Sequence, residues 1–161
     1  MSKMTENYDS LEFKTFDAKA AGEDWASETD NLPPVAGIYI NGNELVDILR
    51  PLEEKLKAED DECDAGDYGH LFAEELYEDL SLASTPGTFS HCYGANLLCC
   101  KECGDFSCWS VLCHVDLSDN EAVWTFSHNH RNWDYGLKYV FRRDEYEKAL
   151  RTLKGEDACR K

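Results

Sequence analysis

The sequence predicts one α+β domain in which a small antiparallel sheet, with a hairpin around 97–126, packs against three helices. Three observations carry that expectation. From Trp109 to Leu117 apolar and polar residues alternate with the two-residue period of a half-buried strand. Over 43–58, 70–81 and 144–154 apolar residues recur at helical spacing instead. The 161 residues are 42% hydrophobic and 12% aromatic, which is enough to bury one core.

Residues 1–34 read as an acidic, flexible N-terminal segment. Leu11, Phe13 and Phe16 suit a short strand or a docking arm. The run AAGEDWASETDNLPP, closing on Pro33-Pro34, has linker composition, with Trp25 as its one anchor. The domain proper is expected over 35–154. Gly37 to Ile40 has strand composition, and Asn41-Gly42-Asn43 is a turn. Asn43 then caps a helix whose buried face is Leu45, Ile48, Leu49, Leu52 and Leu56. Pro51 interrupts that helix. An interior proline costs about 3 kcal/mol, so a kink is expected, or a second short helix opened by Pro51.

Seven of the ten residues 58–67 are Glu, Asp or Cys, and their mutual repulsion favours a solvated loop. The oxygen-ligand spacing of a calcium-binding EF-hand is absent there. Phe72, Ala73, Leu76, Tyr77 and Leu80 give the second helix, which Ser84-Thr85-Pro86-Gly87 ends. A short strand is expected within 88–96. Trp109, Val111, Cys113, Val115 and Leu117 then form the buried side of a strand, with Ser110, Leu112, His114 and Asp116 opposite. Ser118-Asp119-Asn120 turns the chain, and Ala122–Phe126 returns as the second arm. The stretch 127–135 is a polar and aromatic loop. Tyr139-Val140-Phe141 is a further strand. Asp144 with Glu147 makes a capping box for the last helix, which buries Tyr146, Ala149, Leu150 and Leu153. Residues 155–161 are a frayed tail.

The motifs of the second half resemble a widespread family of small, functionally uncharacterised bacterial proteins. The resemblance rests on a CGxxGCW-like turn at Cys103-Gly104 through Cys108-Trp109, with Ser107 where the family often has glycine. It continues through the VxWxxF-like strand Val123 to Phe126, the HRxWxY loop His130-Arg131 through Tyr135, and the helix Phe141 through Leu150. The INGNEL stretch at 40–45 resembles the family's strand-to-helix passage. The resemblance covers most of 36–153 and implies a fold rather than an activity.

Net charge is −17 and unevenly spread. Residues 1–96 hold 22 acidic and 6 basic side chains, a net of −16, while 97–161 hold 11 and 10, a net of −1. Such a field repels nucleic acid and anionic membranes and attracts a basic protein. Its plainer consequence is solubility. No run of about 18 apolar residues is present to span a membrane. The first residues lack the basic-then-apolar order of a secretory signal, so a cytoplasmic protein with reduced thiols is expected.

Five of the eight cysteines lie within fifteen residues, 99–113. Cys100 and Cys103, followed by Gly104, have the Cys-x2-Cys-Gly spacing that lets two thiolates reach one zinc ion. Cys108 is close enough to be a third ligand, and His128 or His130 the fourth, with Cys99 and Cys92 as further options. Cys113 completes the spacing of a retroviral-type knuckle, but on a strand it faces away from Cys108 and reads as core. Buried free thiols, or a Cys103–Cys108 disulfide, explain the same residues.

Three functions stay open. An acidic binding or inhibitor protein, of the kind that immunity proteins exemplify, would present Glu59, Asp60, Asp61 and Glu62 to a basic partner, with His130, Arg131 and Trp133 as a second surface site. A thiol- or zinc-dependent enzyme would use Cys108 with a histidine, although no HExxH, GxSxG or phosphate-binding glycine loop is present. A zinc-knuckle nucleic-acid binder fits the cysteine spacing and is opposed by the charge.

Overall fold

The alternation around Trp124 is the organising feature of the fold. In the computed structural model, which describes residues 8–17, 34–56, 68–88, 93–100, 110–128 and 135–154, this stretch is the centre of a four-stranded antiparallel sheet. The strands in chain order are β1 (Leu11–Phe16), β2 (Val35–Ile40), β3 (Asn43–Glu44), β4 (Tyr68–His70), β5 (Ala95–Asn96), β6 (Leu98–Cys100), β7 (Val111–Leu117), β8 (Glu121–His128) and β9 (Lys138–Arg142). The helices are α1 (Leu45–Leu56), α2 (Ala73–Ala83) and α3 (Arg143–Lys154). Besides the four-stranded sheet β5-β7-β8-β9 there are a three-stranded sheet, β1-β2-β3, and a β4-β6 pair. The α+β class is therefore as the sequence predicts, with more strand than one sheet from 97–141 would hold.

The β7–β8 register explains the alternation. Val111, Cys113, Val115 and Leu117 pair with His128, Phe126, Trp124 and Ala122, so both strands turn the same apolar set inward. Trp124 is fully buried, with Phe141, Phe126 and Tyr146 edge-on to it at centroid distances of 5.3, 6.1 and 6.1 Å. Each such pair adds about 1 kcal/mol beyond its area. α3 closes this core through Tyr146, Ala149 and Leu153, and α2 through Leu76, Leu80 and Ala83. Gly94, at φ 102°, admits the close approach of β5, because a Cβ there would stand 2.9 Å from the carbonyl oxygen of Cys113.

Several expectations change. Residues 11–16, expected within the flexible segment, form the short strand that Leu11, Phe13 and Phe16 suit: β1 pairs with β2 along its whole length, from Leu11↔Ile40 to Phe16↔Val35. Asp9 also joins the two larger sheets, since its backbone N–H donates to Val140 O and its carboxylate accepts from Val140 N at 2.8 Å. Asn43 does not cap a helix. Asn41 and Gly42 both have positive φ, as a tight hairpin turn requires, and Asn43-Glu44 fold back on β2 as β3. Pro51 neither splits nor ends α1. It withdraws the donor to Asp47 O, while burial of Leu45, Val46 and Leu49 before it and of Glu53 after it holds both halves of the helix to the core. The capping box is not formed: Asp144 accepts from the Glu145 N–H, and Glu147 pairs with Arg143 at 2.8 Å. Ser110, expected on the solvent side, is buried and donates to Asn96 Oδ1 at 3.0 Å.

The linker with Trp25, the acidic run 58–67, the cysteine turn 101–109, the loop 129–134 and the tail 155–161 lie outside the described residues. Among the described residues no helix is long and apolar enough to cross a membrane.

Candidate functional site

Two groups of carboxylates stand out, one inside the fold and one on its surface. The inner one is Glu53. It lies four residues after Leu49 and eight after Leu45, on the stripe that α1 buries, and is 0% exposed. An ionised carboxylate there is tolerated only if donors replace water. Tyr68 and Tyr135 supply them: both hydroxyls donate to Glu53 Oε2, at 2.6 and 2.7 Å. Burial, then Tyr135 and Glu53, push the Tyr68 hydroxyl far above the ordinary tyrosine pKa, so it stays a donor. His128, the last residue of β8, is 5% exposed, with its ring 6.3 Å from that of Tyr68. Helix, strand and loop stem are thereby fastened to one carboxylate. Two phenols on a carboxylate, sealed from solvent, are built to hold.

The surface group is on α2. Glu74, Glu75 and Glu78 are exposed and Asp79 is half-buried, and the helix carries no Lys or Arg. The first two favour the helix N-terminus. The spacing works against the helix, because Glu74/Glu78 and Glu75/Asp79 are like-charged i,i+4 pairs, each unfavourable by about 0.3 kcal/mol. Partial burial, followed by Asp79 and with a smaller push from Glu78, raises the Glu75 carboxyl above the usual glutamate range, against a lowering by the Phe72 backbone. Asp79 accepts from the backbone and side-chain N–H groups of Asn96 at 3.3 and 3.2 Å.

A third polar contact joins sheets. His70 Nε2 of β4 lies 2.7 Å from Glu44 Oε2 of β3, and Phe16 packs edge-on against the imidazole at 4.9 Å. A surface groove of about 750 Å³ is lined by Tyr8, Asn120, Arg142, Arg143, Asp144 and Glu147 among others. Its cations are matched internally, Arg142 by Asp144 at 3.0 Å and Arg143 by Glu147 at 2.8 Å.

Of the residues singled out in the sequence, Cys100 is the last residue of β6 and pairs with Tyr68 of β4. Since Tyr68 also stands beside His128, the backbone at Cys100 and the imidazole share one neighbour. Cys103 and Cys108, His130, Arg131 and Trp133, and Glu59, Asp60, Asp61 and Glu62 lie outside the described residues. Among the described residues no three His, Cys, Asp or Glu side chains converge as metal ligands. Cys113 is fully buried as a core thiol, and burial pushes its pKa up. Glu53 was hidden in the sequence, and its one signal was its place on an apolar stripe. No protein-family model, curated protein or solved structure matches the chain.

Proposed function

We propose that the chain is a non-enzymatic binding protein, of the inhibitor or immunity type, whose acidic surface docks on a basic protein. The observation that carries this is α2, with four carboxylates, two like-charged i,i+4 pairs and no cation of its own. It belongs to a longer run, since residues 58–100 hold ten acidic side chains and no Lys or Arg. A fold gains nothing from such repulsion, whereas a cationic partner relieves it, speeds encounter and confers salt sensitivity. Nucleic acid is disfavoured by the same field.

The test is capture on the immobilised chain at low salt, elution with salt, and titration of the eluted protein against charge variants. A basic protein is expected. Glu75→Gln with Glu78→Gln, and neutralisation of Glu59, Asp60, Asp61 and Glu62, should each weaken it and flatten its salt dependence. Captured proteins without basic character, or a partner indifferent to both sets, would end the proposal.

A zinc site at Cys100, Cys103 and Cys108, with His128 or His130, is the second reading. Its support is that β6 ends in Cys100 beside Tyr68, which packs near His128. Elemental analysis of protein purified under reduction without added metal is its test. Stoichiometric zinc lost in Cys103→Ser supports the site, and metal-free folded protein leaves buried thiols.

A further inference from the structure

Against the acidic bulk of the chain, one part is cationic. Residues 136–154, which hold β9 and α3, carry six Lys or Arg and three Asp or Glu, a net of +3, in a chain whose net charge is −17. β9 is also an edge strand, the last in the sheet β5-β7-β8-β9. Val140 stands opposite Val123 of β8, yet its N–H donates to the Asp9 carboxylate at 2.8 Å and its C=O accepts from the Asp9 N–H at 2.9 Å. Both groups therefore point away from the sheet, and the two-residue period aims those of Lys138 and Arg142 the same way. Among the described residues the N-terminal segment meets only the middle of that edge. It offers its backbone N–H as a strand would, and a side chain where a strand would offer a carbonyl. The remaining bonds of this strap lie near the surface. Tyr8 donates to Glu121 Oε2 at 3.1 Å, and the Asn41 side chain donates to Asp9 Oδ1 at 3.0 Å and accepts from the Ser10 N–H at 2.9 Å. β1, which follows at once, is held separately by its pairing with β2 and the burial of Phe13. Residues 8–10 can thus leave β9 while β1 stays in place.

We propose that the β9 edge is a strand-addition site for an extended acidic segment of a partner protein, and that residues 8–10 are the internal stand-in which such a segment displaces. The occupant is argued from charge and from the strap itself. Asp9 shows what the edge accepts, a backbone N–H on Val140 O with a carboxylate beside it. A longer acidic strand would pair with Lys138 and Arg142 as well, and so make more main-chain hydrogen bonds than the strap does. The exposed cations of those two residues would meet its carboxylates, Lys138 more fully, because Arg142 is shared with Asp144 at 3.0 Å. This surface is separate from the acidic face of α2, and its failure leaves the acidic-binder reading untouched.

The experiment uses the full chain and three labelled peptides of equal length. The first alternates glutamate with valine. The second has the same sequence, N-methylated throughout so that it cannot pair as a strand, and the third has lysine for each glutamate. Fluorescence anisotropy at low salt follows their binding to the natural chain, to Asp9→Ala and to Tyr8→Phe. Asp9→Ala removes the acceptor of the Val140 N–H and should raise affinity for the first peptide about tenfold, as loss of one or two hydrogen bonds of the strap implies. Tyr8→Phe, which removes a single bond, should raise it about threefold and carries the test alone if circular dichroism shows Asp9→Ala unfolded. The N-methylated peptide, of equal charge, should gain nothing, and the lysine peptide should bind all three chains alike. Lys138→Glu added to either variant should reverse the gain. No gain in either variant, or an equal gain for the N-methylated peptide, overturns the strand-addition site. A dimer of the opened variants, seen by light scattering without peptide, overturns the foreign partner and assigns the edge to a second copy.

Discussion

Glu53 and Glu75 are both helical glutamates, and the fold treats them in opposite ways. Glu53 is sealed inside and receives two hydroxyl hydrogen bonds. Glu75 is largely open to water and faces Asp79 and Glu78, which repel it. The interior carboxylate is met by two hydroxyls of the chain itself, while among the described residues Glu75 stands beside further carboxylates. The difference separates a carboxylate fastened into the fold from carboxylates left on its acidic surface.

The largest effect should come from the interior. Glu53→Ala leaves two buried hydroxyls without their acceptor and is expected to lower stability by about 3 kcal/mol, measured by urea unfolding. A loss under about 1 kcal/mol would show that the cluster holds little together. Tyr135→Phe removes one charge-assisted hydrogen bond and keeps the ring, so a smaller loss of about 2 kcal/mol is expected.

The interior also predicts a pH response. Burial is the first cause that raises both Tyr68 and Tyr146, the latter to about 12. A tyrosine whose folded pKa exceeds its unfolded one binds more protons when folded as pH rises past that unfolded value. Its stability contribution is whole below about pH 10 and falls as pH climbs toward the folded value. Urea midpoints should therefore drop between those limits, and Tyr146→Phe should flatten the drop. A midpoint constant across that window would contradict the burial of the hydroxyls.

The surface should give the smallest change, with the opposite sign. Because the folded pKa of Glu75 is raised, its repulsion is absent below the unfolded glutamate value and grows as pH rises through the folded one. Glu75→Gln with Glu78→Gln should thus stabilise the free protein by a few tenths of a kcal/mol at neutral pH and not in acid. Destabilisation at neutral pH would mean that the face is built for the fold after all, and the contrast with Glu53 would collapse.

Much of the fold was legible in the residues. The alternation from Val111 to Leu117 placed β7 and its inward set, and Ser118 to Asn120 placed the turn. The spacing of Leu76 with Leu80, and of Tyr146 with Ala149 and Leu153, placed the buried faces of α2 and α3. The acidic bias was a matter of counting. Local periodicity sufficed in each case because strand and helix spacing are properties of the backbone, and water enforces them wherever one face is buried.

Other features depend on partners distant in the chain. Leu11–Phe16 becomes a strand because Val35–Ile40 lies beside it, and Asn43 joins the same sheet instead of capping α1. Glu53 looks like one more surface glutamate until Tyr68 and Tyr135, 15 and 82 residues away, bring their hydroxyls to it. Leu82 is left exposed when Leu76, Leu80 and Ala83 pack inward. The sequence by itself determined the periodicities, the turns and the sign of the charge. Tertiary structure decided which carboxylate is satisfied within the fold and which apolar side chain is left in water, because burial and hydrogen-bond donors arise only when distant segments meet.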